Sequence, residues 1–134
     1  MFFEPVFLDV NDVEFIHSNT IRREGGLDGL RDSGMLASAV AMPRQRFAGD
    51  YLHRDLAAMA SAYLYHLAMN HAFLDGNKRV ASFSSLIFLR ANGVDAGSLP
   101  SASDMIDITL AVAGSQLAKP ALIEWYRKQL DGSI

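Results

Sequence analysis

From Leu56 to Leu74 the chain runs for 19 residues without an aspartate, glutamate, lysine or arginine. A stretch of that length has two physical outlets, a bilayer span or a helix buried at the centre of a fold. His66, Asn70, His71, two tyrosines, Ser61 and several alanines make it too polar and too small for lipid, so the central helix is the better reading. Asp55 offers an N-cap, and the helix is expected to end near His71. A second apolar segment follows almost at once. Asn77 or Gly76 opens it, Phe83, Leu86, Ile87, Phe88 and Leu89 carry it, and Asn92-Gly93 stops it. Both segments read as apolar on most faces, which makes them the core pair around which the other helices pack.

The remaining pattern is helical too. Asp9 or Asn11 caps a helix to about Arg23 with Val13, Ile16, Thr20 and Ile21 on one face, and Gly25-Gly26 ends it in a glycine-rich loop. Asp32 or Ser33 opens a short helix through Met35, Leu36, Ala39 and Val40 that stops at Pro43. Arg44 to His53 reads as a loop or small hairpin. Ser101 or Ser103 opens a helix through Ile108, Leu110 and Val112, and Pro120 sits in the first turn of a last one carrying Leu122, Ile123, Trp125 and Tyr126. Sustained alternation is absent, so the expected fold is all-α, a single domain over residues 1–134.

The net charge of −3 speaks against nucleic acid as the main partner, and the lack of cysteine excludes disulfides, thiol nucleophiles and zinc–thiolate sites. Met1-Phe2-Phe3-Glu4-Pro5 has no basic segment ahead of an apolar one, so a secretory signal is not expected and a cytoplasmic protein is. His17, His53 and His66 lack metal-binding spacing and read as structural or surface residues.

The loop between the core segments carries the chemistry. His71, Asp75, Gly76, Asn77, Lys78 and Arg79 fall within nine consecutive residues. Two cations at a helix start oppose the helix dipole unless something anionic sits there, and a tight glycine turn with free N–H groups is a phosphate-binding corner. His71 is suited to work as a general base, Asp75 to hold Mg²⁺ beside a polyphosphate, and Lys78 and Arg79 to counter moving phosphate charge. Asn77 can cap the helix or reach a phosphate oxygen. Ala72, Leu74 and Ala81 read as packing, with Phe73 plugged into the core. Taken singly, each polar residue has an ordinary role as helix end, cap or solvated charge. Their coincidence in one turn of a loop read as buried is what points to a site.

His71-Ala-Phe-Leu-Asp75-Gly76-Asn77-Lys78-Arg79 closely resembles the signature of the Fic/Doc superfamily, specifically its death-on-curing branch. Ile16-His17, Gly25-Gly26-Leu27, Gly29-Leu30-Arg31-Asp32, Leu36 with Ala39, and Phe88-Leu89 with Asn92-Gly93 resemble that branch in order and spacing. The likeness covers most of the chain and is weakest after Gly93. It implies a compact helical toxin of a toxin–antitoxin pair, with ATP and Mg²⁺ as cofactors. Such proteins use the histidine matching His71 as base and the acid matching Asp75 as metal ligand. The residues matching Gly76, Asn77, Lys78 and Arg79 hold the phosphates.

The resemblance further implies a protein target such as a translation elongation factor, and an antitoxin helix in an apolar groove near the site. A flap formed by Arg44, Arg46, Phe47 and Tyr51 would align the target. Lys78 stands where the common Fic pattern has glycine, and Ser82 where it has a second arginine; both favour phosphate transfer over AMP transfer. Gly76 is the Fic-like choice, and Val80 replaces a threonine frequent in Doc-like chains. A catalytically degenerate toxin that only binds its antitoxin is the non-enzyme alternative. Thr20-x-x-x-Glu24-Gly25 has the form of an inhibitory motif, but Gly25-Gly26 already serves to stop the helix.

Overall fold

The structure is a computed structural model that describes residues 4–131. Met1-Phe2-Phe3, where a secretory signal was not expected, lie outside the described residues. Among the described residues six α-helices follow one another: α1 Val10–Glu24, α2 Ser33–Ala41, α3 Leu56–Asn70, α4 Asn77–Ala91, α5 Ala102–Ala113 and α6 Lys119–Gln129. A two-stranded hairpin, β1 Arg46–Phe47 with β2 Asp50–Tyr51, lies between α2 and α3. Each strand is two residues long, so the fold is all-α as expected. Among the described residues no helix is long and apolar enough to cross a membrane.

The helix starts are chemical. Asp9, Asp32, Asp55 and Ser101 each accept the backbone N–H three residues on, and Asp9 completes a capping box with Asp12. Pro120 opens α6 in its first turn, where a missing N–H removes no helical bond. The charge-free run becomes the centre of the bundle. Every residue from Leu56 to Leu64 is buried, and α2, α4, α5 and α6 all pack on α3. Its alanines let those neighbours approach closely. Tyr63, fully buried, donates its hydroxyl to Leu8 O at 3.1 Å and accepts Leu8 N–H at 2.8 Å, so the chain ahead of α1 is tied to the core.

Three faces differ from expectation. In α4 the buried positions are Val80, Ala81, Ser84, Ser85, Phe88 and Leu89, while Phe83 and Ile87 remain 38% and 43% exposed. The inner stripe at 81, 84, 85 and 88 combines three small residues with Phe88, and Ser85 shares a hydrogen bond with the buried Tyr126 hydroxyl of α6. In α5 the buried residues are Met105, Thr109 and Val112; Leu110 points out and Ile108 is partly buried. Tyr126 and Leu122 anchor α6, with Trp125 only partly buried. In α1, His17 takes the buried position expected for Ile21.

Where α6 meets α3, Lys119 Nζ lies 2.9 Å from His66 Nε2. His53, just ahead of α3, is buried with its Nδ1 unpartnered. Burial first and the Lys119 charge second lower the pKa of both imidazoles to about 4. They stay neutral in the fold, while in the unfolded chain they take up protons from about pH 6.5. The stability they contribute is therefore full above pH 6.5 and is lost as pH falls through about 4. Urea denaturation across that window should show stability falling, by at most about 1.4 kcal/mol per pH unit for each histidine. His66→Gln should flatten the fall relative to the unaltered chain; an unchanged slope would exclude His66 as a contributor.

Candidate active site

At its C-terminal end α3 runs into His71, which adopts the left-handed conformation (φ 49°, ψ 48°). For a non-glycine residue this costs about 1–2 kcal/mol and needs support. The support comes from the segment ahead of α2. Arg31 Nε donates to His71 O at 2.9 Å, and the N–H groups of Arg31 and Asp32 donate to Ala72 O at 2.7 and 3.0 Å. Leu74 N–H donates to Gly29 O at 3.0 Å, so Leu30 and Phe73 form an antiparallel bridge. Phe73 is buried and stacks on the His17 ring at 3.9 Å between centroids and 8° between planes. Ala72 and Ala81 are buried as expected, whereas Leu74 is 53% exposed. The loop is thus pinned from behind, but it is not itself buried: His71 and Lys78 face solvent.

Gly76 caps α4 with φ 81°, a conformation glycine adopts without strain, and supplies no side-chain acceptor to the first turn. Asn77 does not supply one either. Its side chain folds back, Oδ1 accepting Phe73 N–H and Nδ2 donating to Phe73 O, both at 3.0 Å. The first N–H groups of α4 consequently have no side-chain cap, which is the arrangement that receives an anion.

Asp75 turns toward the loop after α1. Its Oδ1 accepts Gly76 N–H at 2.8 Å and its Oδ2 accepts Leu27 N–H at 3.2 Å. The Leu27 and Gly76 bonds, with smaller help from Arg79 and His17, hold this carboxyl below the usual carboxylate range, so it is ionised at neutral pH. Arg79 Nη2 donates to Gly25 O at 3.3 Å. Gly26 lies between these two side chains. A Cβ there would meet Asp75 Oδ2 at 2.6 Å and Arg79 Nη2 at 3.3 Å.

His71, Leu74, Asp75, Gly76, Asn77, Lys78 and Arg79 together line an open cavity of about 390 Å³. Among the described residues no group of three or more His, Asp or Glu gathers to hold a metal. A divalent ion here would rest on Asp75, with phosphate and water oxygens completing its shell. Mg²⁺ accepts that donor set, since it keeps several waters and takes few carboxylates.

The hairpin residues are not part of this lining. Arg44 lies over the Phe7 ring, Arg46 over Tyr51 at 4.1 Å, and Tyr51 against Phe7, which leaves Phe47, 74% exposed, as the outward apolar tip. Glu24 borders a groove with Lys78 and Arg79 and makes no ion pair with either among the described residues. Four residues that the sequence reading did not single out individually for the site now belong to its frame: His17, Gly26, Leu27 and Arg31. A signal existed for His17, because it falls on the buried face of α1 at helical spacing from Val13 and Thr20.

A helical bundle whose two central helices are joined by a histidine–aspartate–glycine corner, backed by a strapping loop, is a well-defined class. The family model described as Fic/DOC family matches residues 7–89, from the lead into α1 to near the end of α4. The chain is 32% identical over 113 residues to the protein kinase doc of Escherichia phage P1, covering 84% of this chain and 86% of that one. It is 44% identical over 70 residues to Toxin Doc of Mycolicibacterium smegmatis, covering 52% and 54%. The chain belongs to the Fic/DOC family, in its Doc-type branch.

Replacing Gly26 by alanine should cost about 1–3 kcal/mol of stability from the positive φ alone. It should also push the Asp75 carboxylate off Leu27. Chemical denaturation and the Leu27 amide shift check both; a Gly26→Ala protein with native stability and an unmoved Leu27 signal would remove the close approach from the site's design.

Proposed function

We propose that this chain is a Doc-like toxin of a toxin–antitoxin pair that transfers the γ-phosphate of Mg·ATP to a serine or threonine hydroxyl on a cellular protein. The observation that carries this reading is the conjunction at one corner of an ionised Asp75, an uncapped α4 N-terminus and a solvent-facing His71. The similarity to a protein kinase and to a toxin supports it.

In this reading His71 accepts the proton of the target hydroxyl as its oxygen bonds the γ-phosphorus. The bond from that phosphorus to the bridging oxygen breaks, and ADP leaves. Asp75 would hold Mg²⁺, which would supply neutralisation of the phosphate charge. Lys78 and Arg79 offset the charge developing on the leaving phosphates, with the α4 N–H groups beneath them. Lys78 fills space that a glycine would leave for phosphates against the backbone, and Ser82 supplies no second guanidinium; both favour the kinase orientation over AMP transfer.

The partner surface lies on the same helix. Phe83 borders two cavities, one of about 590 Å³ with Phe15, Ile16 and Ile87 between α1 and α4, and one of about 490 Å³ with Met105, Ile106 and Leu110 against α5. A cognate antitoxin presenting an apolar helix suits these grooves, and the second ends at Lys78 and Arg79. A cytoplasmic protein such as a translation elongation factor is the proposed target, aligned by the hairpin through Arg46 and Phe47.

The test is transfer from ATP labelled at either the α or the γ phosphate to proteins of a host lysate with Mg²⁺. Label should come from γ alone and drop about 10²- to 10⁴-fold in His71→Ala. Label from α would establish AMP transfer instead. Absence of both, with a tight antitoxin complex retained, would establish a binding protein.

A further inference from the structure

His17 is a residue of α1, 58 positions ahead of Asp75 in sequence and 2% exposed. Its contacts converge on the active-site loop. The ring lies parallel to Phe73, Nε2 is 2.8 Å from the Asp75 carbonyl oxygen, and Cδ2 is 3.7 Å from where a Cβ on Gly76 would stand. A carbonyl oxygen offers only lone pairs, so the imidazole proton belongs on Nε2, which donates. Nδ1 faces the Asp28 carboxylate at 3.7 Å, in the strapping loop.

A residue needed only for packing would do as well with an apolar ring. Here the one strong donor of a buried side chain is aimed at the backbone of the residue that carries the site's carboxylate. The consequence follows from peptide planarity. In a trans peptide the C=O of Asp75 and the N–H of Gly76 point in opposite directions. Holding the carbonyl inward on His17 therefore turns the Gly76 N–H outward, where it meets Asp75 Oδ1 at 2.8 Å. Gly76, at φ 81°, is the residue about which this peptide would most readily turn over once released.

We propose that His17 is a positioning residue: by fixing the Asp75–Gly76 peptide it sets the direction of the Asp75 carboxylate and the start of α4. The inference rests on the reading of this corner as the metal and phosphate site. Outer hydrogen-bond partners of metal-holding carboxylates typically change affinity by 10- to 100-fold when removed.

The experiment compares His17→Phe, which keeps the stack and loses the donor, with His17→Gln, which keeps an N–H at similar reach and loses the ring. Two readouts are taken: hydrogen exchange of the Gly76 amide without nucleotide, and Mn²⁺ half-saturation in the presence of ATP. In His17→Phe, Gly76 exchange should rise at least about tenfold and Mn²⁺ half-saturation by about tenfold or more, with His17→Gln close to the unaltered chain in both. Unchanged Gly76 exchange in His17→Phe, or His17→Gln as impaired as His17→Phe, would overturn the proposal. If the unaltered chain binds no Mn²⁺·ATP, the site reading fails, and Gly76 exchange still decides the role of His17. Should His17→Phe not fold, His17→Gln carries the test: native exchange at Gly76 supports the proposal and accelerated exchange overturns it.

Discussion

Burial of α3 is the constraint on which the rest of this molecule depends. A helix enclosed on nearly all sides needs neighbours on nearly all sides, and α2, α4, α5 and α6 meet that need. The apolar area removed from water is the main favourable term, at about 25 cal/mol per Å². Small residues set the distances. Buried small residues, Ala57, Ala60, Ala62 and Ala68 on α3 and Ala81, Ser84 and Ser85 on α4, leave room for neighbouring helices around this central pair. The loop joining the ends of such a pair has little freedom, which makes it a suitable place to hold side chains in fixed relation.

Rigidity at the loop ends would not by itself aim a carboxylate. That depends on a second layer of backbone bonds, from Gly29, Arg31 and Asp32 to residues 72 and 74, and from Leu27 to Asp75. The left-handed His71 is held in place by the same layer, through Arg31 on its carbonyl. Strain at one residue is thus offset by several ordinary hydrogen bonds nearby, each worth about 1 kcal/mol net. The glycine-rich loop after α1 does more than end a helix: at Gly26 the absence of a side chain lets Asp75 and Arg79 close on it.

Much of this was legible in the sequence, and the misses have physical causes. The caps at Asp9, Asp32, Asp55 and Ser101 are local chemistry, so the helix starts could be read to within two residues. The charge-free run marked α3 for the same reason. The faces of α4 and α5 could not be read by hydrophobicity, because Ser84, Ser85 and Thr109 are buried while Phe83, Ile87 and Leu110 face outward. That inversion follows from close helix packing, which selects size before polarity. Asn77 resembled an N-cap or a phosphate donor, yet its amide closes a ring with Phe73 that depends on the loop's own turn. The Ser85–Tyr126 bond and the His17–Asp75 bond span 41 and 58 residues. No window of sequence contains such a pair; only the periodicity of α1 hinted that His17 faced inward.

The duties within the corner can be separated by what each side chain already touches. Asn77 is committed to Phe73, and Arg79 reaches back to Gly25 O, so both hold the corner's shape whatever else they do. Asp75 is half committed: each oxygen accepts one N–H and retains a lone pair. Lys78 has no hydrogen-bond or ion-pair partner among the described residues, and it stands at the positive end of α4. A cation there typically costs about 0.3–1 kcal/mol. Arg79 offsets that cost through a protein carbonyl, whereas Lys78 has only solvent. In a corner whose other side chains are so largely engaged, an uncompensated cation beside a solvent-facing histidine is the feature that folding does not explain. An anion arriving from outside would supply the charge that the fold leaves out.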